Sequence, residues 1–108
     1  MTAPEGWMFA DSDALPWQAM GPGVEMKTLA SAGGRLIAMF KFDAGYEGGT
    51  HHHGDAEFTY VIEGDLVSNG VPMAAGHAYA AEAGTDHTEF RSPSGATVVL
   101  SLIHISEP

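Results

Sequence analysis

The sequence contains no cysteine, only four lysines and arginines, and no apolar run long enough to cross a membrane. Without cysteine, the chain can form neither a disulfide nor a thiolate ligand, which excludes a disulfide-stapled secreted scaffold and a cysteine nucleophile. The longest apolar stretch, residues 96–105, is interrupted by Ser101 and His104 and is shorter than a membrane span. The chain has 14 acidic residues against these four basic ones, which gives a net charge of −10. A nucleic-acid phosphate backbone would therefore repel it. We therefore expect neither a nucleic-acid partner nor a membrane partner.

The beginning of the sequence lacks the marks of a secretion signal. Residues 1–7 contain neither a basic region nor an apolar core, and together with the missing cysteines this predicts a cytoplasmic protein. A chain of 108 residues is expected to form one domain. Trp7, Phe9 and Trp17 lie among proline and aspartate residues, so we predict that residues 1–23 form an arm. Its aromatic side chains would pack over the main domain, residues 24–108, or over a partner's domain.

No segment has the periodicity of a capped helix, and the 14 glycines separate short segments typical of strands. Turns at intervals near ten residues predict an all-β protein, an antiparallel sandwich or barrel. Asn69-Gly70 and Gly33-Gly34 are typical of two-residue hairpin turns. The predicted strands span residues 25–30, 35–43, 56–63, 65–69, 77–81, 87–91 and 96–105.

Four potential metal ligands stand at spacings that allow them to meet. His51 and His53 are two residues apart, so on an extended strand both side chains leave the same face. Glu57 follows after the turn-prone residues 54–56, and His87 begins a strand candidate that could reach the same point from an antiparallel neighbour. Imidazole suits zinc, copper, iron and nickel, and the carboxylate widens the choice toward manganese. The spacing predicts one divalent metal ion.

Other interpretations of the histidines remain open from the residues alone. A histidine triplet can be the remnant of a purification tag, although tags stand at termini and this triplet stands in mid-chain. By the parity of a strand, His52 points away from its two neighbours, so we expect it outside the metal site. For His77 and His104 we favour an ordinary structural role, although His104 could serve as a proton shuttle near the mouth of a barrel.

The spacing of these residues resembles that of the cupin superfamily. The first cupin motif is a glycine, five residues, His-x-His, three residues, a glutamate, six residues and a glycine, and its positions here are Gly45, His51, His53, Glu57 and Gly64. The second motif is matched by Gly76, Gly84 and His87. Glu82 stands where proline is usual, and Arg91 stands where asparagine is usual.

This resemblance implies a double-stranded β-helix, or jelly-roll barrel, with His51, His53, Glu57 and His87 as ligands of iron, manganese, nickel, cobalt, copper or zinc. Upstream, Trp17, residues 22–24 and residues 27–29 are similar to one cupin subgroup. That subgroup contains the metal-binding domain of an anti-sigma factor that responds to singlet oxygen, and small dioxygenases that cleave diketones or hydroxyacetophenones. Cupins of this kind are often homodimers.

The predicted function is a metal-dependent, dioxygenase-like oxidoreductase for a small apolar or aromatic molecule. The alternative is a non-catalytic cupin that senses or binds a ligand through its metal. Beyond the ligands, the sequence offers only weak candidates for a general acid or base, namely Tyr60, Glu82 and Asp86. Strand parity places Phe58, Tyr60 and Ile62 on the face opposite Glu57, where they would form either a dimer interface or a second layer of core.

Overall fold

The structure of the protein is a computed structural model that describes residues 3–103. Within this range the chain forms one 3-10 turn, Ser12–Ala14, and eleven strands. The all-β prediction is therefore confirmed. The strands are β1 (Gln18–Gly21), β2 (Val24–Ala32), β3 (Arg35–Phe42), β4 (Tyr46–Glu47), β5 (His51–His52), β6 (Glu57–Ser68), β7 (Val71–Ala74), β8 (Ala78–Ala81), β9 (Asp86–His87), β10 (Phe90–Ser92) and β11 (Ala96–Ile103).

The strands form one large curled sheet and one short ribbon, and every pairing is antiparallel. The large sheet follows the order β1-β2-β3-β11-β6-β10-β4, while β7 and β8 both pair with β6. The ribbon consists of β5 and β9. Strand β6 therefore holds the two halves of the fold together, because its first half pairs with β11 and β8 and its second half pairs with β10 and β7.

Strand β6 differs from the prediction, which divided it at Gly64. The chain continues through this glycine, and the register against β11 shifts between Thr97 and Val98. Gly64 has a φ of +85°, and a Cβ atom there would lie 2.0 Å from the carbonyl oxygen of Gly95. Only glycine allows the two backbones to approach this closely, so the strand bends here without ending.

Both predicted hairpin turns are confirmed. Asn69 and Gly70 have φ angles of 47° and 80°, and Gly33 and Gly34 have φ angles of 60° and 78°. Positive φ at both central positions is the requirement of a type I′ turn, whose twist matches that of the flanking strands. The turns join β6 to β7 and β2 to β3.

The core lies on one face of the large sheet. Alternate residues of β6, Glu57, Thr59 and Val61, are buried as predicted, while those between them are exposed. Phe42 stands at the centre of an aromatic group, with ring centroids 4.8 Å from Tyr46 and 5.2 Å from Phe90. The buried apolar residues that pack together are Phe42, Val61, Leu66, Met73, Ala96, Val98 and Leu100.

The second half of the predicted arm contacts the large sheet. Trp17 lies beneath two ammonium groups, with the Nζ atoms of Lys27 and Lys41 at 4.4 and 4.7 Å from its ring centroid. Lys27 is buried, and its Nζ atom donates to the carbonyl oxygen of Ser12. Strand β1 then pairs with β2. Trp7 and Phe9 stack on each other at 6.0 Å and stay at least half exposed.

Within residues 3–103, no helix is long and apolar enough to span a membrane.

Candidate metal centre

The ribbon of β5 and β9 brings the histidines together. His51 pairs directly with His87 in its register, which places the two imidazoles side by side. His53 follows β5 and is held by two backbone hydrogen bonds, because its N–H donates to the carbonyl of Thr85 and its carbonyl accepts from Gly84. The three ring centroids lie between 4.9 and 5.5 Å apart. Glu57 opens β6 and completes the group from the neighbouring sheet.

One potential ligand atom from each of His51, His53, Glu57 and His87 lies within 4.8 Å of the other three. The Oε1 atom of Glu57 is 3.0 Å from Nε2 of His53 and 3.9 Å from Nε2 of His51. His53, Glu57 and His87 are buried, whereas the side chain of His51 is 52% exposed. Three of the four side chains of the cluster are therefore buried, and that of His51 is accessible.

Two atoms of this cluster are buried polar groups with no hydrogen-bond partner among the described residues, Nε2 of His53 and Nδ1 of His87. The contact between Nε2 of His53 and Glu57 is short but lacks the angles of a hydrogen bond. Buried nitrogens without partners are costly, and Nε2 of His53 lies beside a carboxylate oxygen of Glu57. Three imidazoles and one carboxylate form a donor set suited to a divalent transition metal, so these residues fit the predicted ion.

Each buried ligand candidate forms a hydrogen bond with at least one hydroxyl group. Nδ1 of His53 lies 3.0 Å from Oγ1 of Thr85, and Nε2 of His87 lies 2.9 Å from Oγ of Ser68. Oε2 of Glu57 accepts hydrogen bonds from Tyr79 at 2.6 Å and from Thr59 at 3.2 Å. In His53 and Glu57, these bonds engage the atom opposite the one that faces the cluster. Partners of this kind orient metal ligands in proteins.

Burial and neighbouring charges shift the pKa values of two side chains at this site, His87 and Tyr79. The pKa of His87 is lowered, chiefly because burial disfavours the imidazolium, and the neighbouring His51 and His53 act in the same direction. Glu57 opposes this shift. Burial also raises the pKa of the Tyr79 phenol well above its usual range, and the bonded carboxylate of Glu57 adds to the effect. Both shifts favour a neutral imidazole and a protonated phenol beside the cluster.

Two cavities border the cluster. A cavity of about 350 Å³ opens onto its accessible side, where three of the four candidate ligands, His51, Glu57 and His87, line its floor. Its other walls are mostly apolar: Met20, Val24, Phe40, Phe42, Tyr46, Phe90 and Leu100. A second cavity, of about 720 Å³, lies on the side of His53 and extends past Tyr79 to the exposed Glu82 and Asp86. Of the two cavities, the first is the one that reaches the exposed imidazole of His51.

The remaining sequence candidates lie outside the cluster. His52 points away from it, and its Nδ1 atom is 2.6 Å from Oδ1 of Asp86 on the protein surface. Tyr60 is half exposed on the opposite face of the sheet, which removes it as an acid or base for this site. His77 accepts a hydrogen bond from the backbone of Ala74 within a turn, a structural role. His104 lies outside the described residues.

The sequence analysis did not identify Tyr79, Thr85 or Ser68. Tyr79 shares a strand face with Ala81 by parity, a pattern with no chemical signal of its own. Thr85 stands between the glycine and the histidine of the second motif, so its position is the one available hint. The two residues that depart from the cupin motif lie outside the cluster. Glu82 is exposed, and Nε of Arg91 lies 2.9 Å from Oε2 of Glu89.

The sequence model of the ChrR cupin-like domain family matches residues 5–106. No individual curated protein matches the chain in sequence. Among solved structures, the chain resembles a putative acetylacetone dioxygenase from Methylibium petroleiphilum, with a TM-score of 0.84, 16% identity, and coverage of 95% of this chain and 81% of that one.

Two further structures extend the comparison. An RmlC-like cupin from Shewanella frigidimarina has a TM-score of 0.80 and 23% identity, with 92% of each chain covered. The structure of Rhodobacter sphaeroides SigE in complex with the anti-sigma ChrR has a TM-score of 0.74 and 18% identity, with 83% of this chain and 49% of that one covered. This chain therefore spans about half of the matched chain in that complex. At identities this low, the structural similarity establishes the fold alone, and that fold is a cupin.

Proposed function

Because the chain belongs to the ChrR cupin-like domain family, we propose that it is a metal-dependent oxidoreductase of the dioxygenase type, acting on a small apolar or aromatic molecule. The observation that carries the proposal is the contact between the candidate ligands and an apolar cavity of about 350 Å³. A site that serves only to stabilise a fold is closed by its ligands, whereas a catalytic site keeps positions open to a cavity. Here the exposed ring of His51 lies at that opening.

The proposed cofactor is one divalent ion held by His51, His53, Glu57 and His87. Iron is our choice for the oxidoreductase, and manganese, nickel, cobalt, copper and zinc suit the same donor set. When bound, ferrous iron would supply the electron-transfer chemistry that lets an organic anion react with dioxygen. The remaining contributions come from the protein, which binds the substrate, orients it and excludes water.

The cavity walls favour a substrate that ionises by itself. Among the described residues lining the cavity, Tyr46 is the one side chain outside the cluster that carries a hydroxyl proton. Its neighbours, among them Phe40 and Phe90, are apolar, so the cavity provides no separate strong base. A β-diketone has an acidic central C–H bond and needs no strong base to form its enolate. Phenolic ketones share this property through their hydroxyl group.

The proposed reaction consumes the substrate and one dioxygen. One carbon–carbon bond breaks, both oxygen atoms enter the products, and the carbons are oxidised as the dioxygen is reduced. The electrons balance without an external reductant. Phe40 and Phe42 line the cavity with their centroids 6.1 Å apart and offer apolar aromatic surface against which a diketone or an aromatic ketone can pack.

Oxygen uptake by the iron-loaded protein tests the proposal. The protein would be purified without added metal, analysed for its elements, loaded anaerobically with ferrous iron, and supplied with acetylacetone, other β-diketones and hydroxyacetophenones. We expect uptake with at least one of them, loss of uptake in His51→Ala, and retention in His52→Ala, the neighbouring histidine outside the cluster. Zinc in the purified protein, together with no uptake from any substrate, would refute the oxidoreductase.

The second candidate function is a non-catalytic sensor or ligand-binding cupin. It is favoured by the similarity to the structure that contains the anti-sigma ChrR, where a cupin of this fold is part of a protein complex. A sensor would keep a tightly held ion and change its association with a partner when a ligand or an oxidant reaches the cluster. The oxygen-uptake experiment separates the two, because a sensor would consume no oxygen catalytically.

We also propose that the protein is a cytoplasmic homodimer. On the outer face of the large sheet, two adjacent rows carry no charged side chain, Ile37–Ser101–Phe58–Ala80 and Met39–Val99–Tyr60–Ala78. Phe58 and Tyr60 are each half exposed there. The same face carries a groove of about 440 Å³ beside the small residues Ala78 and Ala80.

The occupant of this face is a second copy of the chain. Large rings and a groove lie on one surface, so a two-fold axis would bring the rings of each copy to the groove of the other. A chain with a net charge of −10 repels its own copies elsewhere, and this uncharged face is where two copies can meet with the least repulsion. We propose further that residues 1–23 act as an arm that places Trp7 and Phe9 on the partner, and that residues 24–108 form the barrel.

A further inference from the structure

The two carboxylate oxygens of Glu57 have different partners. Oε1 faces the cluster, 3.0 Å from Nε2 of His53. Oε2 faces the other way and accepts hydrogen bonds from the hydroxyl groups of Tyr79, at 2.6 Å, and Thr59, at 3.2 Å. An ionised carboxylate can only accept, so both hydroxyl groups must be donors in these contacts. These two hydrogen bonds thus orient the carboxylate.

The bond from Tyr79 is the stronger of the two. A distance of 2.6 Å between a hydroxyl oxygen and a carboxylate oxygen is in the range of charge-assisted hydrogen bonds. Tyr79 lies on β8, which pairs with the beginning of β6 in a register that matches it with Thr59. Backbone pairing therefore fixes the phenol relative to the carboxylate, and the ring also meets His87 edge to face at 6.1 Å.

We propose that Tyr79 is a positioning residue that restricts Glu57 to a single ligand oxygen. To chelate an ion with both oxygens, the carboxylate would have to rotate Oε2 away from two donors and break the short bond to Tyr79. The cost of that rotation favours binding through Oε1 alone. Because a carboxylate that binds through one oxygen occupies one position, more of the coordination sphere stays available to the substrate. This inference rests on the proposed metal centre, and it concerns how the centre is kept open.

A cobalt titration tests the role of Tyr79 without any measurement of activity. Wild type, Tyr79→Phe and Tyr60→Phe would be titrated with Co²⁺, and both the affinity and the visible d–d absorption would be recorded. The phenylalanine keeps the ring that packs against His87 and removes only the hydroxyl. The matched control is Tyr60→Phe. It removes a phenol hydroxyl from β6, the strand that pairs with β8, on the face away from the cluster.

In Tyr79→Phe we expect the Co²⁺ affinity to fall by roughly 10- to 100-fold, the usual effect of losing a group that orients a metal ligand. We also expect weaker d–d absorption, because a second carboxylate oxygen raises the coordination number. Tyr60→Phe should match wild type in both readouts. A Tyr79→Phe spectrum that superimposes on that of wild type, with an affinity within twofold, would overturn the proposal.

A second variant, Thr59→Val, keeps the inference testable if Tyr79→Phe does not fold. Thr59→Val removes the longer of the two hydrogen bonds to Oε2 at a buried position and should shift the spectrum in the same direction by a smaller amount. If Tyr79→Phe fails to fold, an unchanged Thr59→Val spectrum refutes the inference. Cobalt binding by wild type without oxygen uptake from any diketone would refute the proposed activity and leave this inference standing. Absence of cobalt binding by wild type would refute both.

Discussion

The Nδ1 atom of His53 lies 3.0 Å from the hydroxyl oxygen of Thr85, and that hydroxyl donates its own proton to the carbonyl oxygen of Glu82 at 2.7 Å. Since a hydroxyl has one proton to donate, Thr85 must accept a hydrogen bond from Nδ1–H of His53. The neutral imidazole then carries its lone pair on Nε2, the buried atom that faces the cluster. Thr85 therefore selects the tautomer that can bind a metal.

Thr85→Val should weaken metal binding because it removes the acceptor that fixes this tautomer. Loss of such a partner usually costs about 10- to 100-fold in affinity, and calorimetric titration with Zn²⁺ would measure it. Thr85→Ser keeps the hydroxyl and is expected to bind like wild type. Equal affinity in Thr85→Val and Thr85→Ser would show that the hydrogen bond has no part in binding.

The two neighbouring histidines provide a matched pair for the cluster itself. His51→Ala removes a proposed ligand, so its affinity loss should exceed the roughly 10- to 100-fold expected for a supporting group. His52→Ala removes an exposed contact with Asp86 and should keep one ion per chain, with a change in stability of at most about 1 kcal/mol. Metal analysis after dialysis distinguishes the variants. Retention of the ion by His51→Ala would exclude that residue from the proposed ligand set.

Local spacing was enough to predict that His51, His53 and Glu57 would meet at one site, whereas His87 was assigned through its match to the second cupin motif. The alternation of a strand separates His51 and His53 from His52, and the same rule turns Glu57 inward and Phe58 outward. These outcomes depend on residues a few positions apart, for which backbone geometry is the main determinant. The hairpin turns were predictable for the same reason, since Asn69 and Gly70 suit a conformation with positive φ.

The groups that support the ligands could not be predicted in this way. Ser68, Tyr79 and Thr85 contact residues 19 to 32 positions away, and the contacts depend on how β6 pairs with β8 and how residues 84 and 85 pair with His53. The unbroken course of β6 was missed for a related reason. Glycine usually marks a break, but here Gly64 lets the strand bend past Gly95, a contact between distant segments.

Gly64→Ala should destabilise the fold through both sterics and backbone conformation. A left-handed φ costs a non-glycine residue roughly 1–2 kcal/mol, and overlap with the carbonyl of Gly95 should raise the total above about 3 kcal/mol. Gly33→Ala is the control, because Gly33 also has a positive φ but its Cβ would meet no atom within 4 Å. Chemical denaturation of the two variants would give the difference. Equal losses would mean that the chain relaxes around residue 64.

The outer sheet face carries Phe58 and Tyr60, and on a single chain these two large rings are left half exposed to water. If a second copy covers them, Tyr60→Glu places a carboxylate in the interface and should yield monomers, since an unpaired buried charge is strongly disfavoured. Val71→Glu adds the same charge at another exposed apolar residue, on β7, and should remain a dimer.

Light scattering coupled to size-exclusion chromatography would give the mass of each variant. We expect a dimer for wild type and Val71→Glu, and a monomer for Tyr60→Glu that still binds one metal ion, because Tyr60 faces away from the cluster. A monomeric wild type at tens of micromolar, a concentration range in which a specific homodimer of ordinary affinity is assembled, would refute the dimer. Dissociation of both variants would show that added negative charge alone separates the copies, and would remove the outer sheet face as their interface.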